Sequence, residues 1–272
     1  MNLRCVLLLL GVASMPNLAM DAVPQDTARK QVLSEGDQKK LLSSRDTAPK
    51  LLGVANGTFD RFVNFYYTFK QVPLHTDDEK VNEAKVFNVF PDFYKPTHQE
   101  LFMTVARQAR ASFRYDAQRG YWLFEPAKDS LPYKIKLAKE WKSEDRGLYV
   151  KYTPPTALVG MDIYILGNYS ADKEEEKPAL YARVREAQAL KFCPLEFVKV
   201  QDMTTAKVDG ADALYYETSK VPRPNNTWRQ WMFVKDGSAF GIASSIDKDH
   251  EVEILPDVQA MVASFKLLAK RP

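Results

Sequence analysis

The residue types that could perform chemistry are few in this sequence, and their spacing forms no metal-binding or cofactor-binding motif. The three histidines are His75, His98 and His250, and none lies four residues from another histidine or close to a cysteine. Zinc sites need such closely spaced ligands. The glycine-rich patterns that bind nucleotide phosphates are also missing from the sequence. We therefore predict neither a metal ion nor a cofactor.

One stretch holds the residue types of a serine hydrolase, namely Ser244-Ser245 followed by Asp247 and His250. No G-x-S-x-G turn surrounds the serine, and a triad is defined by geometry in space, not by neighbouring positions in sequence. Cys193 lies in apolar company, which is typical of a small core residue and not of a nucleophile. A hydrolase with a Ser/His or Cys/His site stays an alternative hypothesis.

The segment that favours recognition is a loop with two prolines, Pro222 and Pro224, which ends in Trp228 and Arg229. Tryptophan and arginine dominate the energetic hot spots of protein interfaces. The same two residues could instead begin a buried strand. We predict Trp228 and Arg229 as binding residues for a protein partner and keep the buried strand as the second interpretation.

The first residues predict export. Arg4 is followed by an apolar run over 6–12 and by small residues up to Ala19, which is the three-part pattern of a secretory signal peptide. The run is far shorter than the ~20 apolar residues that span a bilayer. Cys193 is the single cysteine left after removal of residues 1–19, so no internal disulfide can form. We expect a periplasmic or secreted bacterial protein with no integral membrane segment after cleavage.

The composition narrows the classes of partner. The formal net charge is +3, and the basic residues are interspersed with acidic ones. This distribution excludes the basic surface that nucleic-acid binding requires. A hydrophobic content of 45% with 12% aromatic residues is sufficient for a globular core.

The chain divides into four predicted regions. After the signal peptide, residues 20–58 have no aromatic residue and predict a flexible linker, although the Leu41-Leu42 and Leu51-Leu52 pairs allow a transient helix or a docking motif. Residues 59–126 predict a small N-terminal α/β unit. It begins with an aromatic amphipathic helix, and after the polar run 75–83, predicted as a loop, it continues as a β-α-β-β unit whose helix opens with a Thr97/Glu100 capping box.

Residues 127–272 predict a larger domain. Alternating apolar residues indicate several half-buried strands, one of which starts at Phe197, and a helix follows Pro178. Asp236-Gly237 is the dipeptide typical of a tight β-hairpin. A final helix is predicted to open at Pro256, with the basic tail 266–271 at its C-terminus.

This layout resembles the PsbP-like fold over roughly residues 132–268. The residues that match are Trp141, the turn 209–211 that leads into 213–216, the hairpin 233–237, and the closing stretch 263–265. The resemblance implies an antiparallel sheet flanked by helices, and proteins of this group mostly bind or stabilise other proteins. The predicted fold class is therefore α+β, an α/β/α sandwich preceded by the small β-α-β-β unit.

The leading functional hypothesis is an exported, non-enzymatic binding or accessory protein with a protein partner in the cell envelope. The alternatives are the hydrolase described above and a protein that binds a small apolar ligand between sheet and helices. No site residue can be transferred from the PsbP-like group.

Overall fold

A seven-stranded antiparallel sheet forms the centre of the computed structural model, which describes residues 32–45, 57–87, 89–127, 131–156, 160–192, 202–219 and 225–268. The strands at its centre are buried along nearly their whole length, which is the pattern of strands that are covered on both faces. In sheet order the strands are β10 (Thr204–Val208), β11 (Ala211–Thr218), β12 (Asn226–Lys235), β13 (Ser238–Asp247), β9 (Met161–Asn168), β8 (Tyr149–Thr153) and β7 (Lys142–Asp145).

The longest pair of strands, β12 and β13, is joined by the predicted hairpin turn. Asp236 and Gly237 have φ angles of 47° and 73°. Both angles lie in the left-handed region that a type I′ turn requires, and this turn matches the twist of the flanking strands. Lys235 pairs with Ser238 across the turn. The hairpin prediction is confirmed.

Both faces of the sheet are covered, because alternate residues of β12 enter different hydrophobic clusters. Trp231 and Phe233 pack on the side of α6 (Glu251–Ala263). Met232 and Val234 pack on the side of α4 (His98–Gln108) and α5 (Lys177–Phe192). This is the predicted α/β/α sandwich with an antiparallel sheet, and the fold class is confirmed.

The final helix begins five residues earlier than predicted. Asp247 accepts a hydrogen bond from the backbone N–H of Asp249 at 2.9 Å and so caps the 3₁₀ turn 248–250, which leads directly into α6. Pro256 lies inside α6. The sequence pattern was misleading because a proline is common at the first position of a helix, whereas Pro256 lies in the interior, where proline removes a backbone hydrogen bond and crowds the preceding turn.

The segment after α6 forms a strand where the sequence predicts a basic helix tail. β14 (Lys266–Leu267) pairs with β6 (Tyr133–Lys134). Asp209 holds it there, accepting from the ammonium of Lys266 at 2.9 Å and from the backbone N–H of Leu267 at 3.0 Å. Burial alone would raise the pKa of Asp209. The bonds from Lys266 and Leu267, together with Nζ of Lys235 at 2.6 Å from Oδ2, outweigh burial and hold the pKa of Asp209 well below its usual range.

The N-terminal α/β region contains the two helices that the sequence predicts. The aromatic helix is α2 (Phe59–Lys70), which buries Phe59, Phe62 and Tyr66. In α4 the capping box is complete, because Thr97 accepts from the N–H of Glu100 and Glu100 accepts from the N–H of Thr97. Both helices are confirmed.

The strands of this region pair differently from a single β-α-β-β sheet. β5 (Tyr121–Pro126) pairs with both β4 (Ala111–Asp116) and β2 (Leu74–His75), whereas β3 (Lys85–Val86) pairs with β1 (Gly57–Thr58). The polar run predicted as a loop contains a short helix, α3 (Glu79–Glu83), because Asp78 caps its N-terminus and Val81 is buried.

Part of the predicted linker is ordered. α1 (Glu35–Ser43) is capped by Ser34, and Leu41 and Leu42 pack against the hydrophobic core of the α4 side. Arg45 then bonds to Asp172 at 2.7 Å. The linker prediction is wrong for these residues, because two leucines, a cap and one arginine give the segment enough contacts to order it.

The described residues from Val32 onward form one compact unit, in which α4 packs on β9 of the central sheet. The predicted domain boundary between residues 126 and 127 stays a prediction. Residues 1–19, Leu51-Leu52, Cys193 and the strand start at Phe197 lie outside the described residues. None of the helices in the described ranges combines the length and the apolar character needed to cross a bilayer.

Candidate functional site

Trp228 and Arg229 are neighbours on β12, so their side chains lie on opposite faces of the sheet. Trp228 is half-buried, packs beside Tyr216, and has a buried indole N–H without a hydrogen-bond partner. Arg229 is only 3% exposed. The structure therefore separates the two residues that the sequence nominates as one contact surface.

Arg229 is the centre of an internal ion-pair cluster beneath α6. Its Nε lies 2.9 Å from Glu217 of β11, and its Nη2 bonds to Glu251 of α6. Thr227 donates to the same Glu251 at 3.1 Å, while Nη1 of Arg229 is buried without a partner. These contacts connect two strands and a helix, so the described geometry favours a structural role for Arg229.

The three residue types of a hydrolase triad are close in sequence but are not linked. Ser244 is 0% exposed and its hydroxyl makes no hydrogen bond. Asp247 is used to cap the 3₁₀ turn, and Nδ1 of His250 is buried without a partner. A nucleophile and its base must share a hydrogen bond or come within reach of one. The described arrangement does not provide that contact.

The other two histidines have structural partners. His98 is buried and shares a hydrogen bond with the hydroxyl of Tyr66, and His75 lies at the surface with Nε2 2.8 Å from Asp77. Within the described ranges, no group of three or more His, Cys, Asp or Glu side chains is arranged to hold a metal ion.

Asp162 of β9 is a carboxyl group that titrates close to neutral pH. Burial raises its pKa to about 6 from the usual 3.8, against the opposing effects of Lys151 and a hydrogen bond with Tyr164. The folded protein therefore holds this proton at pH values where the unfolded chain has released it. Its contribution to stability is present below about pH 4 and is lost as the pH rises through about 6.

We expect Asp162→Asn to raise the free energy of unfolding at about pH 7.5 by roughly 2 kcal/mol, and by less than about 0.5 kcal/mol at pH 4. Asparagine keeps an oxygen for the hydrogen bond with Tyr164 and removes the buried charge. Urea unfolding of both proteins at the two pH values measures the difference. An equal effect at both pH values would show that the charge is not responsible.

The candidate site is built around Arg107, in the last turn of α4. Its Nη1 donates to Oδ1 of Asn168 at 2.6 Å and to Oγ of Ser238 at 2.9 Å. Asn168 ends β9 and Ser238 begins β13, and these two residues are register partners. Thr104, one turn earlier in α4, accepts from the backbone N–H of Asn168 at 3.2 Å. We call these four residues the Arg107 site.

The backbone beside the Arg107 site needs a glycine. Gly167 has a φ of 101°, and a Cβ there would meet Cγ2 of Val89 at 3.0 Å and Oγ1 of Thr104 at 3.5 Å. This close approach of β9 to α4 brings Asn168 to the guanidinium of Arg107.

Among the described residues, no charged group balances the charge of Arg107. The side chain is partly buried, and all its described hydrogen-bond acceptors are neutral. Burial lowers the pKa of Arg107 to about 10, with no charged group offsetting this effect. By contrast, Arg110, three residues later, is neutralised by Asp145 through two bonds of 2.6 and 2.7 Å. Arg107 remains cationic at neutral pH and has no carboxylate partner among the described residues.

The sequence around Arg107 does not predict a site, because a basic residue in the last turn of a helix is common. One feature of the sequence could have indicated that Arg107 is partly buried. The residues around it in α4 are buried on most sides of the helix, which leaves little room for a solvated arginine. Its acceptors lie 61 and 131 residues away in sequence. Only the packing of α4 on the sheet reveals them.

Comparison with known proteins gives matches in structure alone. No protein-family model and no curated protein sequence matches the chain. Similar solved structures include LpqN of Mycobacterium tuberculosis, involved in cell envelope biogenesis (14% identity, TM-score 0.36, covering 50% of this chain and 83% of LpqN). Cyanobacterial PsbP from Synechocystis is 12% identical, with a TM-score of 0.31, and covers 58% of this chain and 92% of PsbP.

A third similar structure is a Pseudomonas aeruginosa protein of unknown function (13% identity, TM-score 0.28), which covers 60% of this chain and 99% of its own. At such identities the likeness concerns the fold and gives no information about activity. A PsbP protein, from the group that the sequence resembles, is among these similar structures.

Proposed function

We propose that this chain is an exported, non-enzymatic binding protein of the cell envelope, and that Arg107 holds an anionic group of its ligand or partner. The observation that supports this function is the partly buried guanidinium of Arg107, whose described contacts are all neutral.

An unbalanced charge of this kind costs stability in the free protein. Partial removal of a guanidinium from water is unfavourable unless an opposite charge compensates it. Neutral acceptors such as Asn168 and Ser238 fix its orientation but do not neutralise it. Groups that reduce stability in this way are typical of binding sites, where the ligand supplies the missing charge.

The Arg107 site is also rigid, which favours binding. Asn168 is 2% exposed and Ser238 is 0% exposed, and Oγ of Ser238 lies 3.2 Å from Oδ1 of Asn168. Both acceptors lie on strands of the central sheet, so the guanidinium is oriented before a ligand arrives. Such preorganisation reduces the entropy that binding must overcome.

Export and an envelope location rest on the signal peptide pattern in residues 1–19. A protein partner is the expected source of the anionic group, as in the leading hypothesis from sequence. The hydrolase and the apolar-ligand alternatives stay predictions, and no described contact favours either of them over anion binding at Arg107.

The test is thermal unfolding of the protein with and without added anions at constant ionic strength. We expect acetate or inorganic phosphate, at about ten times its dissociation constant, to stabilise the protein by about 1.4 kcal/mol. That corresponds to a rise in Tm of roughly 3 to 5 °C for a chain of this size. Chloride alone serves as the reference.

Arg107→Gln should abolish the rise, whereas Arg183→Gln, which removes the same charge from an exposed position on α5, should retain it. The proposal fails if no anion raises the Tm of the unmodified protein more than that of Arg107→Gln.

A further inference from the structure

The guanidinium of Arg107 uses only one of its nitrogens for the fold. Nη1 donates to both Asn168 and Ser238, and neither Nε nor Nη2 donates to any residue that the structure describes. Neither of these two nitrogens is among the fully buried polar atoms without a partner, so both keep some access to solvent. The unoccupied part of the group is therefore its Nε/Nη2 edge.

This edge presents two parallel N–H groups in one plane. A carboxylate accepts both of them at once through its two oxygens, in the bidentate geometry that makes arginine–carboxylate pairs strong and directional. Arg110 forms the same type of pair with Asp145, through Nε and Nη2. The chain thus already contains one example of the interaction that the free edge of Arg107 could make.

The charge of the site selects a monovalent anion. Thr104, Asn168 and Ser238 are neutral, and the charge of Arg110 is taken up by Asp145. One positive charge therefore faces the ligand. A carboxylate balances it, whereas a phosphate dianion would bring an uncompensated negative charge into a partly buried position.

We propose that the Arg107 site binds a carboxylate, held bidentately on the Nε/Nη2 edge of the guanidinium. This inference rests on the proposed function and names the chemical class of its ligand. The carboxylate belongs either to a small organic acid or to the chain end or acidic side chain of a peptide.

The experiment is an NMR titration of the full chain that follows the backbone amide resonances of Asn168 and Ser238. Acetate and inorganic phosphate are compared at matched pH and ionic strength. We expect acetate to shift both resonances to saturation, and phosphate to bind at least about tenfold more weakly.

Two variants separate bidentate binding from simple charge attraction. Arg107→Lys retains the positive charge but presents it as a point charge. Acetate should therefore bind to this variant at least about tenfold more weakly than to the unmodified protein. Arg183→Gln is the matched control and should leave acetate binding unchanged. Equal acetate affinity in Arg107→Lys and the unmodified protein would overturn the bidentate geometry.

The source of the carboxylate is tested with an N-acetylated dipeptide that has either a free C-terminal carboxylate or a C-terminal amide. Tighter binding of the free acid than of acetate supports a peptide source, and equal binding supports a small acid. Binding of the amide at the same strength as the acid overturns the carboxylate proposal.

Different results would contradict anion binding at Arg107 and the carboxylate class of its ligand. If phosphate binds as tightly as acetate and Arg107→Gln abolishes both, the carboxylate class is wrong and anion binding at Arg107 stands. If neither anion shifts the two resonances, both proposals are wrong.

Discussion

Replacing Phe102 with alanine should lower the free energy of unfolding by about 4 kcal/mol, because a fully buried aromatic ring is removed and the space cannot be refilled. Phe102 is 0% exposed and lies on α4, the helix that also holds Arg107. Its ring packs against those of Tyr66, Phe113 and Phe124 at centroid distances of 5.5, 5.6 and 5.9 Å. The loss corresponds to a fall in Tm of roughly 8 to 16 °C.

Chemical denaturation of the full chain measures this effect, with Val252→Ala as the control. Val252 is 92% exposed on α6, so its truncation should change stability by less than about 0.5 kcal/mol. A loss below about 1 kcal/mol for Phe102→Ala would mean that α4 does not form the centre of this core.

The second large effect is expected at Arg229. Arg229→Met should cost about 3 kcal/mol, because it leaves two carboxylates without the cation between them. The value is at the low end for such pairs, since the side chains of Glu217 and Glu251 are 46% and 25% exposed and water partly compensates them. Urea unfolding at neutral pH measures the loss.

A double variant distinguishes charge from packing at this position. Arg229→Met combined with Glu251→Met removes the more buried pair of opposite charges together, and it should regain more than half of the lost stability. If Arg229→Met alone is as stable as the unmodified protein, the cluster contributes nothing to the fold. Arg229 would then again be a candidate contact residue, as the sequence suggested.

Local sequence patterns predict some elements of this chain correctly and others not. Asp236-Gly237 and the Thr97/Glu100 capping box were predictable because a turn and a helix start each depend on a few adjacent residues. The start of α6 was not, because Pro256 suits the first turn of a helix but also fits inside one. The cap that determines the start is Asp247, nine residues before the proline.

Long-range contacts account for the remaining differences. The composition of residues 35–43 predicts a linker, but Arg45 finds Asp172, which is 127 residues away in sequence. Arg229 has the character of an interface residue until Glu251 folds over it from α6. In each case a charged residue finds a partner that only the packing of the sandwich brings near.

Arg107 shows the opposite outcome. Packing brings it next to Asn168 and Ser238, which orient the guanidinium without neutralising it. Arg110 and Arg114 do find carboxylates. We infer that the unbalanced charge of Arg107 distinguishes a binding site from a structural ion pair.

The most direct test of ligand binding at Arg107 is a crystal structure of the full chain, from crystals grown in sodium acetate. Acetate is predicted at the Arg107 site, with its two oxygens within hydrogen-bonding distance of Nε and Nη2. A structure in which both nitrogens of Arg107 are bound by carboxylate or carbonyl groups of the protein itself, with acetate only elsewhere, would contradict the assignment of Arg107 as the ligand-binding residue.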